Sequence, residues 1–509
     1  MQTSNKKIVK NTIALYFRQF LVLTVSLYTY RIILANLGVT DFGVYNVVGG
    51  VVAMFSLLSN SMATATNRFL SFDLGKGDLL QLKKTFNLSL LAYLCASVLL
   101  VFLAETIGLW FVSNKLVIPE MRMNAALYVY QFAVVAFIFT ICTIPCTAMI
   151  IAHENMSVYA YVSIFDVFSK LVIAFLIKYS SWDKLILYGL LITISTFIVS
   201  LFYWCYCFVK YKECRLSLFW DRTKFFQIFS FAGWNLFGAA SGLVKGQGTN
   251  VLLNMFFGPV VNAARAVAMQ VNHSVCLFAQ NFFTAVQPQI IKNYANGESE
   301  KMLLLMYRSG KMTFCLMLLV VLPLFLEMPV ILNLWLKNVP EGTVIFARLV
   351  LVESLIESMS YPIGTALNAT GKVKVYQIVV GSIQMMNLPF SYVALCCGAP
   401  AYMVMVLSIF ISIAAFVARL FILKKNMQFS VYSYFKLVIY FSFMMLVITS
   451  IIPCVENFVL PNNIWRLGLT IISSSSVIGL FFWFKGLNKQ ERNALVRTIK
   501  QKFSKMKEN

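Results

Sequence analysis

The residues most able to do chemistry in this sequence are ionisable side chains inside long apolar stretches. A charge at membrane depth is costly, so each of these side chains should face other protein groups or a water-filled cavity. The basic ones are Arg18, Arg31, Arg68, Lys170, Lys245, Arg348 and Arg419, with Arg265 at an outer edge. The acidic ones are Glu105, Asp166, Glu327, Glu353 and Glu357. Such residues indicate an intramembrane site for ions or charged substrates.

Lys245 stands in the middle of the segment SGLVKGQGTNVLLN, where small neighbours allow a close approach. Gln247, Asn250 and Asn254 follow at the spacing i, i+3, i+7 and therefore share one helix face. A polar face in lipid is expected beside water or substrate, so these four residues are predicted to line a cavity. Hydrogen bonding between helices is the alternative explanation.

A second polar face lies on the helix that follows. His273, Gln280 and Gln287 repeat every seven residues, and Gln270 stands beside them. The same two explanations apply, because a polar stripe within a membrane lines a cavity or bonds to another helix. We predict that this face also lines the cavity.

Four charged residues are candidates for ion coupling. Asp166 and Lys170 are four residues apart, so they either neutralise each other on one helix face or act together in transport. Glu353 and Glu357 have the same spacing and could instead form a structural network with Arg348. The sequence leaves both alternatives open.

Motifs of enzymatic catalysis are absent from the sequence. There is no Walker A loop, GxGxxG turn, GxSxG elbow or HExxH helix, and no segment outside the apolar stretches is long enough for a catalytic domain. The 11 cysteines include no CxxC pair and there are only 2 histidines, so no zinc or redox site is indicated. We expect no enzyme, no catalytic residues, no metal and no cofactor.

The composition identifies the solvent that surrounds these residues. Of the 509 residues, 60% are hydrophobic and 12% are charged, which is too apolar for a soluble chain. The net charge of +23 would suggest a nucleic-acid partner in a soluble protein. In a membrane protein, basic residues accumulate in cytoplasmic loops, so we expect membrane lipids as partners and no nucleic acid.

The elements that position the charged residues are predicted to be transmembrane helices. A span needs about 20 mostly apolar residues, and the sequence supplies about fourteen such segments. They are 11–34, 42–67, 85–104, 123–152, 158–180, 185–209, 229–255, 266–290, 313–336, 344–370, two within 375–418, 437–455 and 467–484. With both termini inside, most of the 42 Lys and Arg residues fall on the inner side. The predicted fold is therefore all-α and polytopic, with N-in, C-in topology.

An internal repeat divides these spans into two lobes. The segment PCTAMIIAHENMSVY, from Pro145, and the segment PIGTALNATGKVKVY, from Pro362, share Pro, Ala and Tyr at equal spacings, which pairs the fourth span with the tenth. A shared Val-Ala-Met pairs the second span with the eighth. The predicted parts are an N-terminal lobe over 1–209, a basic linker over 210–224, a C-terminal lobe over 225–424, two additional helices over 425–484 and a basic tail over 485–509. The two six-helix lobes are predicted to be parallel repeats.

The run YRIILANLGVTDFGVYNVVGGVVAMFSLLSNSMATATNRFLSFDLGKGD, from Tyr30 to Asp78, resembles bacterial polysaccharide-biosynthesis flippases of the O-antigen exporter type. These flippases belong to the multidrug/oligosaccharidyl-lipid/polysaccharide (MOP) superfamily, together with MATE-like multidrug extruders. The segment from Trp234 to Tyr294, with NAARAVAMQVNHSV and AVQPQIIKNYA, is similar to the start of their second lobe. The likeness extends over most of the first twelve spans.

The resemblance implies a function, a location and a set of site residues. It implies that a polyprenyl-diphosphate-linked oligosaccharide passes from the cytoplasmic to the periplasmic leaflet of the bacterial inner membrane by alternating access. The product would serve surface polysaccharide synthesis (O-antigen, capsule or exopolysaccharide), and a polysaccharide polymerase and assembly proteins are expected partners. The resemblance also implies that the two lobes surround a central substrate-binding cavity lined by cations, which match Arg18, Arg31, Arg68, Lys245 and Arg265 here. Such cations would replace water around the diphosphate.

Two other functions are compatible with the sequence. A cation-coupled multidrug antiporter of the same superfamily would favour carboxylates in its cavity, yet residues 225–291 contain none. A non-transporting scaffold for glycan assembly would have no need of costly intramembrane cations. Lipid-linked oligosaccharide transport is therefore the function that the sequence favours.

Overall fold

The computed structural model describes residues 2–53, 56–114, 116, 118–215, 217, 220–336, 339–461, 463–486 and 492. The helices of the first half are α1 (Gln2–Ala53), α2 (Ser56–Gly75), α3 (Leu79–Leu103), α4 (Leu109–Asn114), α5 (Met123–Ala152), α6 (Met156–Lys178), α7 (Lys184–Lys210), α8 (Arg222–Phe257) and α9 (Pro259–Ala295). Those of the second half are α10 (Ser299–Leu326), α11 (Met328–Trp335), α12 (Thr343–Ser358), α13 (Ser360–Thr370), α14 (Val373–Met385), α15 (Asn387–Cys396), α16 (Met403–Asn426), α17 (Val431–Tyr434), α18 (Tyr440–Val459) and α19 (Ile464–Phe481). Within these ranges there is no β-strand, and the all-α prediction is confirmed.

Ten helical segments of the described chain are long and apolar enough to cross a membrane. They are Leu15–Gly38, Leu79–Asn114, Glu120–Ala152, Met156–Lys178, Lys184–Lys210, Ser299–Leu326, Val373–Cys396, Met403–Asn426, Val431–Val459 and Ile464–Gly486. The other four predicted spans, 42–67, 229–255, 266–290 and 344–370, are largely helical but are not among the ten. These four include the two helices with polar faces, α8 and α9, and the tenth span is divided into α12 and α13.

Local sequence explains where several helices begin and break. The carboxylate of Asp78 accepts a hydrogen bond from the Gln81 amide and caps α3. Asp183 caps α7 through the amides of Leu185 and Ile186. Within α1, Gly38 has a φ of 78°, which interrupts the helix between the first and second predicted spans.

Residue contacts divide the chain into two compact units. Unit 1 comprises Met1–Ala240, Thr284–Met302 and Leu367–Ile378, and unit 2 comprises Ser241–Phe283, Leu303–Ala366 and Val379–Asn509. The predicted lobes 1–209 and 225–424 stay a prediction. Most of the predicted basic tail, residues 487–491 and 493–509, lies outside the described residues.

Each unit has its own apolar core. In unit 1, buried clusters form around Tyr93, Tyr130 and Met149. In unit 2, one cluster extends from α8 to α19 and includes Met445 of α18 and Ile478 of α19. The long helices that follow residue 424, α18 and α19, therefore pack into the core of unit 2.

Candidate functional site

Lys245 of α8 forms an ion pair in unit 2 with a carboxylate far away in the sequence. Its Nζ lies 2.6 Å from Oε1 of Glu353, which is on α12, 108 residues along the chain. Each side chain is only 14% exposed, so little water screens the pair. The sequences of α8 and α9 contain no acidic residue, so the partner of Lys245 comes from a third helix.

Two serines of α16 complete the surroundings of Glu353. Ser408 and Ser412 both donate hydrogen bonds to Glu353 Oε1, each at 2.8 Å. Lys245 also lies 3.3 Å from Ser412 Oγ. The carboxylate of Glu353 is therefore held by one ammonium and two hydroxyl groups.

A second carboxylate lies one helical turn further along α12. Glu357 accepts a hydrogen bond from Ser412 at 3.5 Å and interacts electrostatically with Glu353, Lys245 and Arg419. Arg419 is buried and donates to Ser360 Oγ at 3.1 Å. We call Lys245, Glu353, Glu357, Ser408, Ser412 and Arg419 the unit 2 charge cluster.

Arg265 of α9 interacts electrostatically with this cluster. It is 5% exposed, donates a hydrogen bond to Asn250 Oδ1 of α8 and interacts electrostatically with Glu353. Two predicted site residues of α8 and α9 are thereby connected directly. Asn250 also donates to Gln247 Oε1 at 3.1 Å, so the predicted polar face of α8 is partly bonded within unit 2.

The remaining polar side chains of the two faces differ in exposure. Asn254, Gln270, His273 and Gln280 are exposed and Gln287 is half-buried. Their role as cavity lining stays a prediction.

The three candidate cations of unit 1 have separate environments. Arg18 stacks on Tyr159 with its guanidinium 5.0 Å from the ring centroid, and Arg31 is exposed on α1. Arg68 is 8% exposed, lies 4.5 Å from the ring centroid of Phe69 and donates to the backbone carbonyl of Ala369 at 3.2 Å. Arg68 is therefore engaged in packing and in capping a helix end.

Asp166 and Lys170 form the intrahelical pair that their spacing predicts. Lys170 Nζ lies 2.8 Å from Asp166 Oδ2 on α6, and both side chains are partly exposed. The mutual neutralisation that was one of the two alternatives is thus present. A part in ion coupling stays a prediction for this pair.

Ser408 and Ser412 are not among the site residues predicted from the sequence. They are four residues apart in an apolar helix, which places both hydroxyls on one face of α16. That spacing was the available signal, although hydroxyls in membrane helices commonly bond their own backbone. Among the described residues, no group of three or more His, Cys, Asp or Glu side chains is placed to hold a metal ion.

Solved structures of transporters share this fold. No family model matches the sequence, and no curated protein matches it. An outward-facing multidrug resistance MATE family transporter of the MOP superfamily has a TM-score of 0.73 at 13% identity, over 83% of this chain and 96% of that one. A MATE protein in complex with MaD3S has a TM-score of 0.72 at 13% identity, over 83% of this chain and 97% of that one.

A third similar structure is described by the polarity of its own binding pocket. A MOP superfamily transporter from Pyrococcus furiosus, described as having a pocket of reverse polarity and a different function, has a TM-score of 0.66 at 12% identity. The similarity extends over 83% of the present chain and 96% of the Pyrococcus furiosus chain. Similarities at this identity establish the fold, which is that of MATE transporters of the MOP superfamily. Two of these three structures are described as transporters.

Proposed function

We propose that this protein transports an amphiphile with an anionic head group across a membrane, and that the substrate is a polyprenyl-diphosphate-linked oligosaccharide. The observation that carries the proposal is the balance of charge within the unit 2 charge cluster and Arg265 beside it. In the described part of the chain, these interactions join three basic side chains, Lys245, Arg265 and Arg419, to two carboxylates, Glu353 and Glu357. An excess buried cation is costly unless an anion compensates it, and a diphosphate would do so.

Glu353 has a defined part in this proposal. Its carboxylate forms an ion pair with the ammonium of Lys245, and a substrate phosphate would form the same kind of pair. An entering diphosphate would compete with Glu353 for Lys245, while Ser408 and Ser412 keep the displaced carboxylate hydrogen-bonded. Glu353 would then return to Lys245 when the head group leaves, so that the empty site holds no unpaired buried ammonium.

The wider function follows from the resemblance in the sequence and from the fold. Alternating access would carry the head group from the cytoplasmic to the periplasmic leaflet while the polyprenyl chain stays in the bilayer. We further propose a location in the bacterial inner membrane, with both termini in the cytoplasm, and cooperation with a polysaccharide polymerase. The alternative is a scaffold without transport activity. The purified protein reconstituted in lipid would then show no transport.

A cation-coupled multidrug antiporter is the second candidate function. The observation that favours it is the pair of carboxylates on one face of α12, Glu353 and Glu357, with Glu353 bonded to an ammonium. Protonation of Glu353 would weaken its hold on Lys245, which could couple proton movement to transport. The fold is equally compatible with this function.

Loss of the gene, followed by analysis of membrane lipids, tests the proposed substrate. We expect a lipid-linked oligosaccharide to accumulate and to disappear when the wild-type gene is restored. Lys245→Ala should leave the intermediate accumulated, Lys245→Arg should clear part of it because the charge is kept, and Lys245→Glu should be worse than Ala. The abundance of each variant in the membrane is the control. Efflux of organic cations with no accumulated intermediate would contradict the proposal and support the antiporter.

A further inference from the structure

The turn between α5 and α6 in unit 1 holds a buried carboxylate in an uncommon backbone conformation. Glu154 has a φ of 58° and is 6% exposed. Its Oε1 lies 2.6 Å from Lys292 Nζ, and its Oε2 accepts a hydrogen bond from Gln289 at 3.0 Å. Asn11 donates to its backbone carbonyl at 2.9 Å. These contacts join the turn to the C-terminal end of α9 and to α1.

The turn between α13 and α14, also in unit 1, makes a comparable contact with α2. Arg68 of α2 donates to the carbonyl of Ala369, in the last turn of α13. Gly371 has a φ of 76°, and a Cβ at this position would lie 2.7 Å from Arg68 Nη2. The guanidinium therefore lies directly against this turn, where a larger residue than glycine would collide with it.

The two contacts are related by the internal repeat of the sequence. Glu154 and Gly371 occupy the same position in the two repeated segments, and both have a positive φ. Arg68 directly follows the second predicted span and Lys292 follows the eighth, and the repeat pairs these two spans. Each of the two turns thus receives a cation from a helix of the other predicted lobe.

The ends of α2 and α9 also touch each other within unit 1. A Cβ on Gly75 would lie 2.8 Å from the Cα of Lys292 and 3.0 Å from the Cβ of Ala295. The rings of Phe72 and Tyr294 pack with centroids 6.4 Å apart. The two helix ends are therefore in contact beside the Glu154–Lys292 ion pair.

We infer that the Glu154–Lys292 ion pair and the Arg68–Ala369 contact form a latch that closes the inner end of the transport path and opens in each cycle. The inference rests on the proposed function, because it requires a transport cycle. All of its elements belong to turns or helix ends that the topology places on the cytoplasmic side. Charged groups there can rehydrate when the latch opens, so opening costs much less than parting the same charges in hydrocarbon.

Spin labels at Leu80 and Glu300, which are exposed beside the two helix ends, can report the opening without any substrate. The labels would be attached to cysteines in a cysteine-free background, and electron double resonance would measure their separation in lipid nanodiscs. We expect one main distance for the otherwise unchanged protein. Glu154→Lys should add a population at longer distance, because it replaces the ion pair with two like charges.

Three further variants make the measurement specific. The exchange Glu154→Lys with Lys292→Glu should restore the shorter distance. Arg68→Ala should lengthen the distance in the same direction as Glu154→Lys. Glu298→Lys is the matched control, because it makes the same charge reversal in an exposed ion pair with Lys301 on the same surface. It should leave the measured distance unchanged.

The possible results separate the latch from the proposed substrate. A distance distribution that neither Glu154→Lys nor Arg68→Ala alters, in protein that elutes as a single species, would overturn the latch. If Glu154→Lys or Arg68→Ala does not elute as a single species, Glu154→Gln replaces it, and the distance between the labels should again become longer. Opening without any clearance of lipid-linked oligosaccharide would support the latch and count against the proposed substrate alone.

Discussion

At the scale of single residues, the ion pair between Lys245 and Glu353 means that a substitution at Lys245 affects the stability of the protein as well as its transport activity. Removing one partner of a shielded pair leaves the other charge uncompensated, which commonly costs about 3 to 5 kcal/mol. Loss of transport in Lys245→Ala alone could therefore reflect a less stable protein. A second substitution that removes the orphaned charge separates the two effects.

We predict that Lys245→Ala lowers the free energy of unfolding by about 3 kcal/mol and that adding Glu353→Gln recovers most of this loss. The reason is that a neutral glutamine can keep the hydrogen bonds from Ser408 and Ser412 without a buried charge. Thermal unfolding of the purified variants, with flux measured on the same preparations, provides the test.

The double variant also distinguishes binding from structure. It should be stable and still inactive if Lys245 binds the substrate head group. Should Lys245→Ala with Glu353→Gln regain normal clearance of the lipid-linked intermediate, Lys245 would be only a structural partner of Glu353. The anion-binding role would then fall to Arg265 and the cations of unit 1.

At the scale of helices, several intramembrane charges serve to fix helix ends. Arg348 donates to the carbonyls of Phe325 and Leu326 at the end of α10, and Arg68 does so for α13. Cations at a helix C-terminus satisfy carbonyls and interact favourably with the helix dipole. Such residues look functional in a sequence because their carbonyl partners are not visible there.

A buried polar network attaches the last helices to the rest of unit 2. Glu327 is fully buried and pairs with Arg466 of α19 at 2.9 Å, while Asn457 of α18 and Thr470 of α19 also donate to it. The network connects the start of α11 with both helices. It explains why these helices, which the repeat does not include, are fixed in unit 2.

Two glycines of α8 give a prediction about helix packing. A Cβ on Gly248 would lie 2.5 Å from Leu388 of α15, whereas a Cβ on Gly242 would meet nothing within 4 Å. We expect Gly248→Ala to destabilise the protein by about 1 to 3 kcal/mol through overpacking. Gly242→Ala should be neutral or stabilising by up to about 1 kcal/mol, because alanine favours helix.

The two alanine variants differ only in their neighbours, so Gly242→Ala is the internal control. Midpoints of thermal unfolding in the same detergent provide the comparison. If Gly248→Ala is as stable as Gly242→Ala, α8 and α15 do not approach each other as closely as the structure indicates.

At the scale of the whole molecule, contacts within unit 1 agree with the alternation of the predicted loops. Arg122 bonds to Asp41 and Asp183, and these three residues lie at or beside turns that the topology places outside. Partial burial raises the pKa of the Asp183 carboxyl, but the hydrogen bonds from Arg122 and from the amides of Ile186 and Leu185, together with the charge of Arg122, outweigh it, so its pKa lies below the usual range. Lys224 of the predicted inner linker pairs instead with Asp73 of α2 at 2.9 Å.

Labelling of single cysteines tests which side is cytoplasmic. In a cysteine-free background, Lys212→Cys should react with an impermeant maleimide only after the membrane is permeabilised, because basic linkers are retained inside. Met121→Cys, which is 95% exposed in a predicted outer turn, should react in intact cells. Rapid labelling of Lys212→Cys in intact cells would reverse the assigned orientation.

The amino-acid sequence by itself predicted each of the ten helical segments that are long and apolar enough to cross a membrane, and their order. Length and apolar composition define a membrane helix, and caps such as Asp78 and Asp183 act within one turn, so these features are local. The pair of Asp166 and Lys170 was predictable for the same reason, since its spacing fixes its geometry.

Only the tertiary structure decided which charges meet. Lys245 and Glu353 are 108 residues apart, and Glu154 and Lys292 are 138 apart, so no spacing in the sequence relates them. The rotation of each helix about its axis selects the partner, and that rotation is set by packing against several other helices at once. A candidate site residue such as Arg68 could therefore be recognised as costly in the membrane from its sequence, while its partner, the carbonyl of Ala369, could be known only from the fold.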